Sequence, residues 1–311
     1  MKVLIADSLA PQAAQRLHAA GVQADDRAGI ELSELLSVLP EYQGLIVRSR
    51  TKVTAEVLAA GSNLKVVGRA GVGVDNIDLA AAAAHNVAVV NTPVSTSVAV
   101  AELTLALMLA IVRSVPRADA SMKAGGWDKK SFEGAELAGK TLGILGMGNI
   151  GAKVARRAAA FDMDVRGFDP FLDDATIQTR GALAARLDEI YSESDVITLH
   201  LPLLSDTRGL LNETAFEKMK RGVYIVCAAR GGVIDEDALL TALNRGQVAG
   251  AALDVFATEP PGTSPLVTHP NVIATPHMGA QTAEAQTRAA MDVADEVANV
   301  LLGKPMRWEV K

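Results

Sequence analysis

The stretch Thr141–Asp169 reads TLGILGMGNIGAKVARRAAAFDMDVRGFD, and the rest of the chain is interpreted around it. It begins with an apolar run typical of a buried strand, and a G-x-G-x-x-G pattern follows with glycines at Gly146, Gly148 and Gly151. A helical segment and a second strand that ends on Asp169 complete the stretch. In such a unit the glycines allow a tight turn, backbone approach to a pyrophosphate and close helix–strand packing. The stretch therefore predicts a dinucleotide-binding βαβ unit.

Asp169 and the small residues of the helix refine this prediction. Asp169 stands 18 residues beyond Gly151, where a carboxylate can accept hydrogen bonds from the adenosine ribose diol. The same carboxylate would repel the 2′-phosphate of NADP, so we expect NAD to be the cofactor. One helical face has residues small enough to pack closely on a sheet: Gly151, Val154, Ala155, Ala158 and Ala159.

Length and composition are typical of a globular α/β protein of about two domains. The chain has 311 residues, of which 49% are hydrophobic and 21% charged, and a formal net charge of −6. This acidic balance gives no reason to expect nucleic acid or an anionic membrane as a partner. The most apolar stretch, Leu103–Val112, is too short to span a bilayer, and we expect no signal peptide, since Met1-Lys2 leads directly into the strand-like Val3–Ala6. Cys227 is the single cysteine, so we expect it to be buried in a cytoplasmic protein.

Strand-like and helix-like segments alternate along the chain, which predicts the α/β class with doubly wound parallel sheets. After a first βα unit, Ser95–Val115 reads as one long apolar helix. Six strands are predicted for the nucleotide-binding sheet: Leu142–Leu145, Asp164–Phe168, Asp195–Leu199, Gly222–Val226, Ala249–Leu253 and Val272–Thr275. The last helix, Thr282–Leu301, is expected to return to the first unit. The predicted domains are therefore 1–92 with 283–311, which binds substrate, and 93–282, which binds NAD.

Three polar residues follow predicted strands of the nucleotide-binding sheet. Ligands of open α/β sheets bind outside the carboxyl ends of the strands, where Arg230, Glu259 and His277 are expected. Oxidising an alcohol by hydride transfer needs a base, an acid that orients this base, and a cation for the substrate's carboxylate. The three residues supply these groups. Considered singly, Arg230 could as well pair with Asp235 or Asp237, and a lone histidine is more often structural.

Two arginines follow strands of the first unit. Arg48 lies in LIVRSRT, and Arg69 lies in the glycine-rich segment Gly68–Asn76, which predicts either an anion-binding nest or a simple turn. Singly, each arginine is most often a surface charge. As a pair they favour a phosphorylated substrate, because guanidinium groups match the geometry of phosphate.

Long motifs in a shared order make the chain similar to the D-2-hydroxyacid dehydrogenase family over nearly its whole length. The motifs are LIVRSRT from Leu45, VVGRAGVGVDNID from Val66, NTP from Asn91, AELT from Ala101, LAGKTLGILGMGNIG from Leu137, ARGGVIDE from Ala229, AALDVFATEPP from Ala251 and TPHMGA from Thr275. The resemblance implies two Rossmann-like, doubly wound parallel-sheet domains with a cleft between them and a discontinuous substrate domain. It also implies NAD-dependent oxidation of a 2-hydroxy acid by hydride transfer.

The resemblance further implies roles for individual residues. The catalytic set is Arg230, Glu259 and His277. The implied cofactor contacts are Val72, Gly146, Gly148, Asn149, Ile150, Gly151, Asp169, Leu201, Pro202, Ala228, Ala229, Arg230, Asp254, His277, Gly279 and Ala280. The implied substrate contacts are Arg48, Ser49, Arg69, Gly71, Arg230 and His277, and no metal is expected.

Partners and alternatives follow from the same resemblance. It implies a small phosphorylated 2-hydroxy acid as substrate and a homo-oligomer, either a dimer through the nucleotide domain or a tetramer. Thr96 and Cys227-Ala228 replace asparagines common in relatives that act on such acids, which affects fine substrate contacts. Many relatives continue into serine-sensing regulatory domains beyond the position of Lys311, so we expect a short form or a truncated chain. The alternatives are a glyoxylate or hydroxypyruvate reductase of this family and an NAD-sensing, corepressor-like binding protein.

Overall fold

The structure is a computed structural model that describes residues 1–310, and the chain divides into two compact units. The first unit combines Met1–Ser97 with the segment that begins at Ala280, and the second is Val98–Gly279. The first unit is therefore discontinuous. The chain passes between units a few residues from the predicted limits at 92/93 and 282/283.

The strands of the described residues, in chain order, are β1 (Lys2–Ile5), β2 (Gln23–Asp26), β3 (Gly44–Val47), β4 (Val66–Arg69), β5 (Ala88–Val90), β6 (Thr141–Leu145), β7 (Asp164–Phe168), β8 (Leu183–Ala184), β9 (Val196–Leu199), β10 (Val223–Cys227), β11 (Val248–Leu253), β12 (Val272–Ala274) and β13 (Glu309–Val310). The helices are α1 (Gln12–Ala19), α2 (Leu32–Val38), α3 (Ala55–Ala60), α4 (Leu79–Ala84), α5 (Ser97–Val112), α6 (Val115–Lys123), α7 (Asn149–Ala159), α8 (Asp174–Thr179), α9 (Leu187–Glu193), α10 (Glu213–Lys218), α11 (Glu236–Asn244) and α12 (Ala283–Leu301). Short 3₁₀ turns occur at Leu39–Glu41 and Lys129–Phe132.

The sheet of the second unit has the order β12-β11-β10-β9-β6-β7-β8, and its strands pair in parallel. This sheet has seven strands and not the predicted six, because Leu183–Ala184 pairs with β7. A strand of two residues carries no alternating pattern, so the sequence does not reveal it. Helix α7 buries Gly151, Val154, Ala155 and Ala158, whereas the predicted Ala159 is exposed because it faces away from the sheet.

The sheet of the first unit has the order β13-β5-β4-β3-β1-β2, parallel except for β13. Two of its strands are absent from the sequence prediction: β2, because Gln23–Asp26 is polar and sits at an edge, and β13, because it has only two residues. Helix α12 returns to this sheet as predicted and packs on β3 and β4. The packing is close, since a Cβ at Gly68 would lie 2.5 Å from a methyl of Val297.

The predicted helix Ser95–Val115 is present as α5, but it ends at Val112 and not at Val115, where a second helix, α6, begins. Ser114 has a left-handed backbone with φ of +51°, and Pro116 in the first turn of α6 has no amide hydrogen to continue the preceding helix. The axes of α5 and α6 differ in direction by 64°. Among the described residues, no single helix is long and apolar enough to cross a membrane; only this bent pair meets the length and composition requirement.

Candidate active site

The predicted site residues of the second unit lie along one edge of its sheet. Because its strands are parallel, their carboxyl ends share that edge. The strand order reverses between β6 and β9, and ligands of doubly wound sheets bind at such a reversal. The loops after β6, β7, β9, β10, β11 and β12 carry Gly146, Asp169, Leu201, Arg230, Asp254 with Glu259, and His277.

The glycine loop Gly146–Gly151 needs glycine at two positions for packing and is open at a third. Gly146 has φ of +95°, and a Cβ there would lie 2.6 Å from the carbonyl oxygen of His200. A Cβ at Gly151 would lie 2.1 Å from the carbonyl oxygen of Gly146. By contrast, a Cβ at Gly148 would meet no atom within 4 Å. The loop therefore packs tightly at its two ends and leaves space beside Gly148.

Helix α7 starts in this open part of the loop. Gly148 is its N-cap residue, and no side chain caps the helix. Asn149 is exposed and Ile150 is half-buried in the first turn. Backbone amides of a first turn without a capping side chain, together with the helix dipole, form an anion site. These residues therefore fit the pyrophosphate of a dinucleotide.

Asp169 and Arg180 hold the second residue of the loop, Met147. One carboxylate oxygen of Asp169 accepts from the Met147 amide at 3.0 Å, and the other accepts from the Phe171 amide at 3.0 Å. The Arg180 guanidinium donates to the Met147 carbonyl oxygen at 2.5 Å. Both backbone polar groups of Met147 are thus bound by side chains. Arg180 is absent from the sequence prediction, because an arginine after a short surface helix belongs to no motif.

His277 and Glu259 are hydrogen-bonded to each other. The distance from His277 Nδ1 to Glu259 Oε2 is 2.7 Å, and Glu259 Oε1 accepts from the Phe256 amide at 3.1 Å. The backbone amide therefore fixes the carboxylate, which in turn orients the imidazole. Because Nδ1 is engaged, Nε2 is the ring nitrogen left to exchange a proton with a ligand. The His277 side chain is 49% exposed, so a ligand can reach it.

Asp254 supports the turn that carries His277. Its buried carboxylate accepts from the Thr275 hydroxyl at 2.6 Å, the Met278 amide at 2.9 Å and the Gly279 amide at 2.8 Å. His277 itself has a left-handed backbone with φ of +50°, which a residue with a side chain adopts only when its surroundings hold it there. The hydrogen bonds to Asp254 on both sides of His277 provide this support.

Arg230 leaves β10 through a turn that packs on the loop after β11. Its guanidinium donates to the Ala229 carbonyl oxygen at 2.7 Å, and its side chain is half-buried. A Cβ at Gly231 would lie 1.8 Å from the carbonyl oxygen of Phe256, so this position admits only glycine. Phe256 is also the residue whose amide binds Glu259. The turn of Arg230 and the loop of Glu259 are therefore in direct contact.

The remaining predicted residues of this edge include an apolar group after β9 and β10. Leu201, Ala228 and Ala229 are buried, and Pro202 is exposed.

Cys227 is buried as predicted, and burial raises the pKa of its thiol to about 11. Burial lowers the pKa of His200 to about 3, so its ring is neutral at physiological pH. Gly279 ends this unit, whereas Val72 and Ala280 belong to the first unit.

In the first unit, Arg48 follows β3 and Ser49 is the exposed residue after it. The Arg48 guanidinium donates to Gln281 Oε1 at 2.7 Å. Burial lowers the pKa of Arg48, and the negative charge of Asp7 acts in the opposite direction. Its strand, β3, lies beside β1, where the strand order of this sheet reverses, and ligands of doubly wound sheets bind at such a reversal.

Arg69 ends the adjacent strand β4, but its side chain folds over its own loop. The guanidinium donates to the Ala70 carbonyl oxygen at 3.3 Å, and a Cβ at Gly71 would lie 1.5 Å from Arg69 Nη1. Asn91 and Thr92 hold this loop from the other side: the Thr92 amide donates to the Gly71 carbonyl oxygen at 2.9 Å, and the Asn91 side chain donates to that of Val72 at 2.6 Å. The Asn91 and Thr92 residues of the NTP motif therefore hold the glycine-rich loop in place by hydrogen bonds.

The chain is similar to known proteins at the level of a family and of individual relatives. Residues 105–279 match the family model described as D-isomer specific 2-hydroxyacid dehydrogenase, NAD binding domain. A D-3-phosphoglycerate dehydrogenase of Rattus norvegicus is 49% identical over 305 residues, which cover 98% of this chain and 57% of the relative. The chain thus spans little more than half the length of such curated relatives.

Solved structures match the chain over its whole length. The TT0316 protein from Thermus thermophilus has a TM-score of 0.89 and 36% identity, with 100% of both chains covered. A glyoxylate reductase from Paecilomyes thermophila has a TM-score of 0.90 and 30% identity, covering 100% of this chain and 98% of that chain.

Proposed function

The chain belongs to the family of D-isomer specific 2-hydroxyacid dehydrogenases, and from this premise we propose that it catalyses the NAD-dependent oxidation of D-3-phosphoglycerate to 3-phosphohydroxypyruvate. The observation that carries the proposal is the hydrogen-bonded pair His277–Glu259 on the sheet edge that also bears the glycine loop. The curated relatives of that name, at 44–49% identity over nearly the whole chain, support the choice of substrate.

NAD is the cofactor of this family's domain, and when bound it supplies the acceptor for the hydride. The amides of the first turn of α7 bind its pyrophosphate. Asp169 accepts hydrogen bonds from the adenosine ribose, since each carboxylate oxygen makes one protein hydrogen bond and retains a lone pair for another. Its negative charge disfavours a 2′-phosphate, which explains a preference for NAD.

His277 is the general base of the proposed reaction. Its Nε2 takes the proton from the hydroxyl oxygen, while the carbon that bears this hydroxyl loses its hydride to the cofactor. The alcohol thereby becomes a ketone. Glu259 stabilises the imidazolium that forms, in the way a carboxylate supports the histidine of other acid–base sites. Arg230 binds the carboxylate of the substrate and polarises the neighbouring C–O bond.

Arg48 and Ser49, with Arg69 and Gly71, are proposed to bind the phosphate group. Arg48 follows β3 and Arg69 ends β4, and the pairing of Val47 with Arg69 brings the two positions side by side. A half-buried guanidinium such as that of Arg48 binds an anion strongly, because it has lost part of its hydration. This support is the reason to prefer a phosphorylated substrate over glyoxylate or hydroxypyruvate.

A substrate panel tests the proposal. Reduction of NAD is followed with D-3-phosphoglycerate, D-glycerate and D-lactate, and glyoxylate and hydroxypyruvate are tested with NADH. We expect the largest kcat/KM for D-3-phosphoglycerate and little activity with NADP.

Arg48→Ala should lower kcat/KM for D-3-phosphoglycerate by roughly 10–100-fold. This is the effect expected when a charge-assisted hydrogen bond to the phosphate, of about 1.5–3 kcal/mol, is lost. The control is D-glycerate, for which Arg48→Ala should change little.

A preference for glyoxylate in the panel would contradict the proposed substrate and favour the second candidate, a reductase like the Paecilomyes protein. Equal loss for both acids in Arg48→Ala would make Arg48 structural.

We also propose a homo-oligomer formed through the second unit. Helix α6 and the 3₁₀ turn Lys129–Phe132 bury none of their residues, and Val115, Met122 and Trp127 are exposed along this segment. A second copy of this surface would bury such apolar side chains in a homo-oligomer.

A cytoplasmic location agrees with the single, buried cysteine.

A further inference from the structure

We propose that Asp7 and Asn76 are positioning residues that fix the turn Arg48–Thr51, and with it the Arg48 guanidinium, for the anionic group of the substrate. The inference rests on the proposed function, which identifies that group as the phosphate. Neither residue touches the substrate in this proposal. Each acts through the backbone of the turn.

The side chain of Asp7 binds backbone amides of the turn. Asp7 follows β1, and its side chain is buried. Oδ2 accepts from the Arg48 amide at 2.7 Å, while Oδ1 accepts from the Thr51 hydroxyl at 2.6 Å and the Thr51 amide at 3.2 Å. Arg50 Nε lies 3.4 Å from Oδ1. The carboxylate therefore faces four donor groups from three residues, and an ionised carboxylate is the side chain that can accept from all of them.

Asn76 binds the same turn through its carbonyl groups. The side-chain amide donates to the Thr51 carbonyl oxygen at 2.8 Å and to the Arg48 carbonyl oxygen at 3.2 Å. Asp7 and Asn76 thus bind both backbone groups of the first and the last residue of the turn. Because one side chain accepts only and the other donates here, neither can replace the other.

The fixed ends determine where the turn presents its cation. Ser49 and Arg50 between the ends are exposed, and Arg48 donates to Gln281. Arg50 is directed elsewhere, since its Nη2 donates to the Ile30 carbonyl oxygen at 2.7 Å. Because Arg50 contacts Asp7, Ala6 and Ile30 within the first unit, the proposal assigns the ligand to Arg48. A long side chain binds phosphate well only when its backbone is held, because otherwise binding must also order the loop.

The test compares isosteric variants with a matched control. Asp7→Asn places an amide NH₂ against donor groups, and Asn76→Asp places a carboxylate against two carbonyl oxygens. Glu296→Gln is the control, because Glu296 is also a buried carboxylate of the first unit that accepts from three groups, here the Arg307 amide, Arg307 Nε and the Trp308 amide. It holds the C-terminal segment and not the turn.

We expect Asp7→Asn and Asn76→Asp to raise KM for D-3-phosphoglycerate by about tenfold, with kcat and the Kd for NAD changed by less than about threefold. In both variants, KM for D-glycerate should stay near the wild-type value. In Glu296→Gln, KM for D-3-phosphoglycerate should also stay near the wild-type value. Melting temperatures of all variants are measured, so that a general loss of stability is recognised. If Asp7→Asn does not fold, Asn76→Asp and Asn76→Ala give the same comparison.

Two results would overturn the inference: an unchanged KM for the phosphorylated acid in both variants, or an equal rise in Glu296→Gln. Failure of the proposed function has a different signature, because the wild type itself would then prefer an unphosphorylated acid. The KM comparison is then made with that acid, and unchanged values in both Asp7→Asn and Asn76→Asp again overturn the inference. A raised KM in Arg48→Ala with a normal KM in Asp7→Asn leaves the proposed function standing and removes the role of Asp7.

Discussion

At the scale of the residue, the His277–Glu259 pair depends on backbone groups as much as on the two side chains. The Phe256 amide orients Glu259, and the carboxylate of Asp254 holds the amides on the C-terminal side of His277. A histidine supported in this way needs no large rearrangement before it accepts a proton. Preorganisation of this kind lowers the barrier of proton transfer.

We predict that His277→Ala lowers kcat by roughly 10²–10⁴-fold, the usual contribution of a positioned general base. The Kd for NAD should change little, because the glycine loop is formed without His277. Glu259→Gln should have a smaller effect on kcat, since the imidazolium formed in the reaction then loses a negatively charged partner. Steady-state kinetics and a fluorescence titration with NAD provide the measurements. An unchanged kcat in His277→Ala would exclude it as the base.

At the scale of the element, the junction of β6 and α7 combines tight packing with an open ligand face. The loop has no room for a side chain at Gly151, and it has free space at Gly148. The two glycines therefore differ: Gly151 allows the element to fold, and Gly148 leaves open space at the start of α7.

This difference predicts opposite outcomes for two alanine variants. Gly151→Ala places a methyl group 2.1 Å from a carbonyl oxygen, and overpacking of this kind costs about 1–3 kcal/mol of unfolding free energy. Gly148→Ala should leave the melting temperature unchanged but weaken NAD binding by about tenfold, or about 1.4 kcal/mol. Thermal denaturation without ligand and NAD titration separate the two effects. Normal NAD affinity in Gly148→Ala would argue against pyrophosphate binding at this loop.

At the scale of the whole molecule, the two units share one architectural principle with different strand orders. When the antiparallel edge strand β13 is left out, the first sheet has the order 2-1-3-4-5, and the second contains 3-2-1-4-5-6 when its strands are numbered from β6. Both orders reverse once. The predicted ligand residues follow the carboxyl ends of the strands, from Gly146 and Arg48 at the reversals to His277 after the edge strand β12. The second unit also carries the exposed surface formed by α6 and the following 3₁₀ turn.

That surface predicts the behaviour of the protein in solution. Met122→Asp and Trp127→Asp should shift sedimentation from a dimer or tetramer toward the monomer, because each places a charge where an apolar side chain is expected to be covered. Phe171→Asp is the matched control, since Phe171 and Trp127 are both 84% exposed and lie in the same unit. Analytical ultracentrifugation gives the assembly state. A monomeric wild type, or equal dissociation of the control variant, would contradict assembly through this surface.

The sequence by itself determined those features that depend on neighbours along the chain. The spacing of Gly146, Gly148 and Gly151 and the strand before them specify a local turn, so the nucleotide-binding unit could be predicted from it. The strand ends that bear Arg230 and His277 were predictable for the same reason. The return of α12 was predicted on another ground, because no strand of the second unit remained for this helix to pack on. Short or polar strands such as β2 and β8 were not, because they carry little hydrophobic pattern.

Only the tertiary structure decided which polar groups meet across long separations in the chain. The Asp7–Arg48 hydrogen bond joins residues 41 positions apart, and Arg180 reaches Met147 over 33 positions. The first contact exists because parallel strands bring their carboxyl ends to one edge, and this depends on the strand order of the folded sheet. A sequence pattern records periodicity and local turns, but not the direction in which a side chain leaves its strand or the partner it finds.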